Sequence, residues 1–222
     1  MGFASKSLRV SAMVLLALCF ALGTVAGDGD SFEKEFAAKY SAWRERIRKP
    51  DLRESSGPGL MTCEEAQALI GMGPKAVPLM MQKLDEREDP YGAILWVAVR
   101  DITKKQFSKD ELFKLNPRDL WGKWWQDAHE TTPKQFAGLW REWRTLEQQQ
   151  ASLLKQARDL GILVIPSIIE RLKQGETELI PLLSELTDGE VKPEWLPDQC
   201  LEWWDRSKDA WNVPHPSDDN GK

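Results

Sequence analysis

Two helix-forming stretches joined by a polar turn lie in the middle of the chain, between Gly71 and Lys105. Pro74 suits the first turn of a helix, where its missing N–H would have no intrahelical partner anyway. Asp89-Pro90 indicates the end of this helix and the start of the next. Apolar residues recur at helical spacing in both stretches, so each helix must bury one face against another element. The stretch therefore predicts a helix pair that needs further helices packed on it.

The chain then repeats this stretch, together with the segments that flank it. The matched pairs, in chain order, are Phe36/Phe136, Tyr40/Trp140, Trp43/Trp143, Arg44/Arg144, Gly73/Gly161, Pro78/Pro166, Leu84/Leu172, Leu95/Leu179, Val99/Leu183, Ile102/Leu186, Thr103/Thr187, Trp124/Trp203 and Trp125/Trp204. The loop between the paired helices is shorter in the second copy. Matches that keep one order over long segments indicate an internal duplication.

These patterns predict an all-α domain over residues 27–222, made of two duplicated units at residues 32–127 and 132–207. We expect residues 129–132 to link the units. The tail, residues 213–222, contains several Pro and Asp residues and is predicted to be disordered.

Two local features refine this prediction. Thr62-Cys63-Glu64-Glu65 reads as a capping box at the start of a helix, with the Thr62 hydroxyl and the Glu65 carboxylate each satisfying a backbone N–H. From Phe136 to Leu160 no proline occurs, and we expect one long helix there.

The helix pair resembles the HEAT repeats of armadillo-like α-solenoid proteins. The residues that carry the resemblance are Gly71, Gly73, Ala76, Val77, Pro78 and Leu84 in the first copy and Gly161, Ile165, Pro166 and Leu172 in the second. The Ile-Thr pair followed by a Trp-x-x-Trp-Trp segment is similar to secreted bacterial HEAT-like proteins. This resemblance implies an α-α superhelix that binds a protein or peptide along its concave side.

Residues 1–26 are predicted to be a secretory signal peptide. Lys6 and Arg9 precede an apolar run from Val10 to Val25, and small residues end the run. An uncleaved anchor is the alternative. A lipoprotein signal at Cys19 is disfavoured, because Leu18 stands where such signals carry a small residue. We therefore expect an exported protein, periplasmic or extracellular, without an integral membrane span once the signal is removed.

The net charge of −5 argues against two classes of partner. Phosphate contacts dominate affinity for nucleic acid, and the chain has no basic cluster that would make them. Anionic membrane surfaces are disfavoured for the same reason.

Cysteine usage leaves two readings. Cys63 and Cys200 are candidates for a disulfide bond in an oxidising compartment. The alternative is two separate buried thiols that behave as small apolar side chains.

No motif predicts catalysis, and we expect neither a cofactor nor a metal. His129 and His215 are expected to be exposed residues without a catalytic role. The chain lacks a Cys-x-x-Cys or His-Glu-x-x-His pattern and a phosphate-binding loop after a strand. A pair of distant carboxylates, as in a glycoside hydrolase, stays open as the least favoured reading.

Tryptophan is unusually frequent, with 11 residues against 2 tyrosines. Packing explains most of them, and the duplication predicts equal burial of Trp43 and Trp143. Adjacent residues on a helix point about 100° apart, so only one member of each Trp-Trp pair faces inward. Trp125 and Trp204 are the candidate binding surface.

The function predicted from these patterns is a non-enzymatic scaffold that binds a protein or peptide. A Trp-rich module for carbohydrate or cell wall is the first alternative, and an enzyme is the second. A flat row of exposed Trp would favour a glycan, whereas a groove of mixed apolar and charged residues would favour a peptide.

Overall fold

The computed structural model describes residues 28–52 and 58–214, which are helical and contain no strand. The ten α-helices of this part are α1 (Asp28–Ile47), α2 (Glu64–Ile70), α3 (Val77–Asp85), α4 (Trp96–Thr103), α5 (Lys109–Lys114), α6 (Pro117–Trp143), α7 (Gln150–Asp159), α8 (Ile165–Lys173), α9 (Ile180–Leu186) and α10 (Pro197–Trp211). The all-α prediction is confirmed for the described residues. The predicted signal peptide lies outside them.

The chain divides into two compact parts, residues 1–35 and residues 36–222. Of the first part, the structure describes only residues 28–35, which form the beginning of α1. Within the second part, we use the names first repeat and second repeat for the units expected from the sequence at residues 32–127 and 132–207, taken here as residues 36–127 and, with the rest of α10, residues 132–211.

The order of helices and the geometry of one turn recur in the two repeats. Gly73 has φ 71° and ψ −162°, and Gly161 has φ 81° and ψ −164°. Such angles are open essentially to glycine alone. Each glycine precedes a one-turn 3₁₀ helix that runs into an α-helix of nine residues with proline in its first turn. The shorter helices α4 and α9 then follow at equivalent places.

The buried positions recur in the same register. The buried residues of α3 are Val77, Met80, Met81 and Leu84, and those of α8 are Ile165, Ile168, Ile169 and Leu172. Fully burying one such aliphatic side chain contributes about 1.5–3 kcal/mol. Thr103 and Thr187 are both fully buried, and their hydroxyls donate to Val99 O and Leu183 O respectively. These bonds satisfy polar groups that would otherwise be costly in the core.

One continuous helix joins the two repeats. The linker predicted at residues 129–132 is wrong, because α6 runs from Pro117 to Trp143 with Pro133 inside it. Proline inside a helix destabilises it, because it removes one backbone hydrogen-bond donor and its ring clashes with the preceding turn. Packing on both sides of Pro133 opposes this cost, since Ala128, Thr132 and Phe136 are all buried.

Two further local predictions are wrong. The long helix expected from Phe136 to Leu160 ends at Trp143, and the Thr145 hydroxyl donates back to Glu142 O at 3.0 Å. Such side-chain bonds compete with helix continuation. The capping box at Thr62 does not form, because the Thr62 hydroxyl donates to Gly59 O instead. Cys63 is the N-cap residue of α2 and makes no side-chain capping bond.

Backbone contact between the repeats occurs at Gly161. A Cβ atom at this position would lie 2.2 Å from Thr103 O and 2.8 Å from Lys105 N, so the end of α4 lies directly on the glycine. At the equivalent Gly73, a Cβ would meet nothing within 4 Å. Lys104 Nζ also lies 2.8 Å from Asp188 Oδ2, and these two residues occupy equivalent places after α4 and α9.

Candidate binding groove at the junction of the two repeats

A groove of about 720 Å³ opens where the first repeat meets the second. Its walls come from the segment after α4, the second half of α6 and the end of α7. The lining residues are Lys105, Gln106, Phe107, Ser108, Lys109, Glu111, Gln135, Gly138, Leu139, Glu142, Lys155, Gln156, Asp159 and Leu160. This volume lies within the range of sites that bind small molecules or peptide side chains.

Hydrogen bonds hold the wall after α4 in place. Lys104 adopts a left-handed conformation with φ 58°, which ends α4 and turns the chain. The amide of Lys105 donates to the buried Thr103 hydroxyl at 3.3 Å. The amide of Gln106 donates to Asp159 O at 2.9 Å, which attaches this segment to the end of α7. The groove therefore has a wall fixed to both repeats.

Aromatic rings support the same wall from behind. Phe107 meets Trp121 edge to face, with ring centroids 4.9 Å apart. Trp121 in turn contacts Trp124 at 5.3 Å in the same manner. Edge-to-face pairs of this kind contribute about 0.5–1.5 kcal/mol beyond the area they bury. Phe107 is therefore held by a buried tryptophan while it lines the groove.

Lys105 is the most unusual charged residue of the groove. Its side chain is half-buried, and its Nζ lies 4.9 Å from the centroid of the Phe107 ring. Burial lowers the pKa of the Lys105 ammonium, and the nearby charges of Glu111 and Asp159 only partly oppose this shift. Removal of an ammonium from water disfavours its charged form.

The carboxylates near Lys105 interact with other donors. Glu111 Oε2 accepts from the Ser108 amide at 2.8 Å and from the Ser108 hydroxyl at 2.7 Å, in a capping box that begins α5. Burial raises the pKa of Glu111, but these two bonds prevail and lower it. Asp159 Oδ2 lies 2.9 Å from Lys155 Nζ.

Helix α5 borders the groove through Lys109 and Glu111 and has no counterpart in the second repeat. It leaves two large apolar side chains in solvent, with Leu112 53% and Phe113 87% exposed. Neighbouring exposed apolar side chains of this size often mark a contact surface for another molecule.

A second cavity, of about 500 Å³, lies at the start of α6 beside the loop before α4. Two of its polar residues, Asn116 and Asp119, are bonded to each other. Asn116 caps α6 by accepting from the Asp119 amide at 3.0 Å, and its side-chain amide donates to Asp119 Oδ2 at 2.6 Å.

A buried acid holds the loop between α3 and α4. Asp89 is 7% exposed, accepts from the Tyr40 hydroxyl at 2.6 Å and lies 3.4 Å from Arg44 Nε. Burial and the Asp89 carboxylate raise the pKa of Tyr40. Burial tends to raise the pKa of Asp89, but hydrogen bonds from Tyr40 and the loop amides, together with Arg44, bring it below its usual value.

The second repeat has a related pair, in which Arg144 lies 3.2 Å from Glu176 in the equivalent loop. Arg144 matches Arg44, whereas Trp140 replaces Tyr40 and supplies no hydroxyl. Both repeats thus attach their inter-helix loop through an arginine and an acid. We assign the Asp89 cluster to stability, because the Asp89 carboxylate accepts hydrogen bonds from the Tyr40 hydroxyl and the Tyr91 amide.

We expect Asp89→Asn to lower the free energy of unfolding at neutral pH by about 1.5–3 kcal/mol, the range for hydrogen bonds to a charged group. The folded-state pKa of Asp89 lies below its unfolded value, so its contribution is present at neutral pH and is lost as pH falls through the folded-state pKa. Urea unfolding of both proteins from neutral to acidic pH measures the difference. The exposed, arginine-paired Asp51 provides the control, since Asp51→Asn should change stability far less. Equal effects of the two variants would contradict the assignment.

The predicted surface residues lie apart from the groove. Trp125 and Trp204 are half-buried, while their neighbours Trp124 and Trp203 are buried. Neither Trp125 nor Trp204 lines the groove. All eleven tryptophans fall within the described residues, and none of them is fully exposed.

Trp43 and Trp143 are not buried equally, so that prediction is wrong. Trp43 is 0% exposed, and its Nε1 donates to Leu60 O at 3.1 Å. Trp143 is half-buried and stacks on Trp140, with ring centroids 4.5 Å apart. The segment Pro58–Met61 covers Trp43, whereas α6 ends at Trp143.

Cys63 and Cys200 are both free thiols in the structure, so the candidate disulfide is not formed. Cys200 is fully buried, and burial raises its pKa. Cys63 Sγ lies 3.6 Å from Leu60 O in the first repeat. This arrangement agrees with the alternative prediction of two separate thiols.

His129 lies in α6 rather than in a linker, and its Nε2 is 2.9 Å from Val213 O. Val213 is 2% exposed, so the first residue of the predicted tail is packed. His215 and residues 216–222 lie outside the described part of the chain.

Sequence patterns missed Lys105 and Phe107. The signal in the sequence was that the stretch from Thr103 to Trp124 is five residues longer than its counterpart from Thr187 to Trp203. An extra segment in one of two copies indicates a local specialisation, but the sequence does not say which surface it meets.

Within residues 28–52 and 58–214, no group of three or more His, Cys, Asp or Glu side chains is placed to hold a metal ion. None of the helices in the same ranges combines the length and hydropathy needed to cross a membrane. Comparison of the chain with protein-family models, curated proteins and solved structures finds no match.

Proposed function

We propose that this protein is an exported, non-enzymatic scaffold of two HEAT-like repeats that binds a peptide segment of a partner protein. The observation that carries the proposal is the groove at the junction of the repeats. It combines apolar surface from Phe107 and Leu139 with lysine, carboxylate and amide side chains. Peptide sites need this mixture, because apolar side chains supply affinity and polar groups fix the orientation.

The contacts between the repeats support a solenoid-like stack. In a stack, equivalent positions of neighbouring repeats face each other, as Lys104 and Asp188 do. In a stack of two repeats, the second repeat packs on the first through one of its faces. The equivalent face of the first repeat has no repeat packed on it, so equivalent positions differ in their surroundings. Gly161 and Gly73 differ in this way. Helix α10 additionally packs against residues 74–76 of the first repeat, which ties the repeats together at another place.

The apolar run from Val10 to Val25 supports export. Expression of the whole chain in a Gram-negative host, followed by fractionation and N-terminal sequencing of the product, tests this part. Retention in the cytoplasm with an uncut amino terminus would contradict it.

Carbohydrate binding through Trp125 and Trp204 is the second candidate. Their half-buried rings are the observation that keeps it open. A flat platform of exposed tryptophan faces is not present among the eleven residues, and this favours the peptide groove.

Gly138 allows the groove to be filled without disturbing the backbone. It lies in α6 and lines the groove, and a Cβ added there meets nothing within 4 Å. Gly122 lies in the same helix with the same open surroundings but does not line the groove. Replacing glycine inside a helix does not by itself destabilise it.

We therefore expect Gly138→Phe to abolish peptide binding and Gly122→Phe to leave it unchanged. A random peptide library displayed on phage is panned on the folded protein, and the affinity of a selected peptide is measured for each variant by fluorescence polarisation. Circular dichroism verifies that both variants fold. Undiminished binding by Gly138→Phe would rule out the groove. Loss of binding in Trp125→Ala and Trp204→Ala instead would place the binding site on the surface formed by these two tryptophans.

A further inference from the structure

We infer that the groove selects peptides that present a carboxylate next to an apolar side chain, with the Lys105 ammonium as the group that binds the carboxylate. This inference rests on the proposed peptide-binding function and names the chemistry of its ligand. It follows from the position of Lys105, from the engagement of its acidic neighbours and from the character of the surrounding wall.

The backbone that carries the Lys105 ammonium is fixed, and the acids near this ammonium are bonded to other groups. Its backbone is held through Thr103, and the next residue is bonded to Asp159 O. Among the described residues, no carboxylate oxygen lies within 4.0 Å of its Nζ, and its close contact is the neutral ring of Phe107, whose centroid is 4.9 Å away. A half-buried ammonium gains more from an incoming carboxylate than an exposed one does, because less water screens the pair.

The two acids whose charges act on Lys105, Glu111 and Asp159, do not take this place. Glu111 is committed to the Ser108 cap, and Asp159 lies beside Lys155. Movement of either acid to Lys105 would break a charge-assisted bond that is already formed. An external carboxylate breaks no such bond when it binds.

The rest of the wall adds a second requirement. Phe107, Leu139 and the buried Leu160 give the groove apolar surface beside the ammonium. Gln135 and Gln156 are exposed at its edge and carry both donors and acceptors suited to a peptide backbone. A peptide that places an aliphatic or aromatic side chain beside an acid satisfies both surfaces at once.

The carboxylate has two sources in a peptide, an acidic side chain and a free carboxyl terminus. Phage display presents internal segments and therefore samples the first source. Synthetic versions of a selected peptide, with Glu or Gln at the enriched acidic position and with a free or an amidated carboxyl terminus, separate the two sources.

We expect the selected peptides to share an acid next to an apolar residue. Wild-type protein should bind the Glu version at least about tenfold more tightly than the Gln version, as a charge-assisted bond in a partly buried site requires. Lys105→Gln should remove this preference. Lys123→Gln makes the same change of charge at an exposed residue of α6 outside the groove and should alter the affinity by less than about threefold.

The outcomes separate the two proposals. No enrichment of any peptide would overturn the proposed function itself. Peptides that Gly138→Phe excludes, but that bind equally as Glu and Gln versions to the wild type, would overturn the present inference and leave the function standing. The wild-type comparison needs no variant, so it decides the matter even if Lys105→Gln fails to fold. We assign the carboxylate to an acidic side chain, so a preference that follows the free carboxyl terminus instead would also overturn the inference.

Discussion

Gly161→Ala is expected to lower the free energy of unfolding by about 3 kcal/mol or more, through backbone strain and overpacking together. The new Cβ would lie 2.2 Å from Thr103 O, and the main chain at φ 81° disfavours any residue with a side chain. Neither Thr103 nor Lys105 can retreat easily. The Thr103 side chain is fully buried, and the segment after it is bonded to α7.

Gly73→Ala is the matched control for this variant. The backbone angles of Gly73 are nearly the same, but open space surrounds the position. Only the strain term remains, about 1–3 kcal/mol. Urea denaturation of both variants measures the difference, which reports the contact between the repeats. Equal destabilisation would mean that the end of α4 does not lie on Gly161.

Trp43→Ala should cost about 3–5 kcal/mol, the usual range for emptying a fully buried aromatic site. Trp43 has no exposed surface, contacts Tyr40 and donates to Leu60 O. Trp43→Phe keeps much of the side-chain volume and removes the indole N–H. It should therefore lower the free energy of unfolding by only part of this amount, and this part includes the hydrogen bond to Leu60 O.

Trp143→Ala should cost less, about 1–2 kcal/mol, because the side chain is half-buried and stacks on Trp140. Thermal or urea unfolding of the two alanine variants gives the comparison. Equal losses of unfolding free energy in the two variants would show that the Trp143 side chain is covered as fully as that of Trp43.

Several features of the fold are predictable from sequence. Helical class, the order of helices and the buried positions of α3 and α8 follow from apolar spacing, from proline in the first turn and from the glycine before it. These signals are local, because a periodic apolar face and a glycine-only conformation act within a few residues. Repetition strengthens them, since one pattern was present twice.

Local signals also failed where non-local packing outweighs them. Pro133 reads as the start of a unit, yet burial of Thr132 and Phe136 keeps α6 continuous through it. Thr62 reads as a cap, yet its hydroxyl bonds to the preceding turn. In both cases the local structure is determined by contacts that the spacing of residues in the sequence does not reveal.

By itself, the sequence determined the helical class and a pattern of apolar and turn residues that occurs twice in the same order. Tertiary structure decided how equivalent residues came to differ: Gly161 lies against Thr103 while Gly73 is open, and Trp43 is covered while Trp143 is half-buried. It also decided that Lys105 and Phe107 would line a groove with residues of α6 and α7. The physical reason is that the burial of a side chain depends on what packs over it, and here those atoms come from distant segments or from the other repeat.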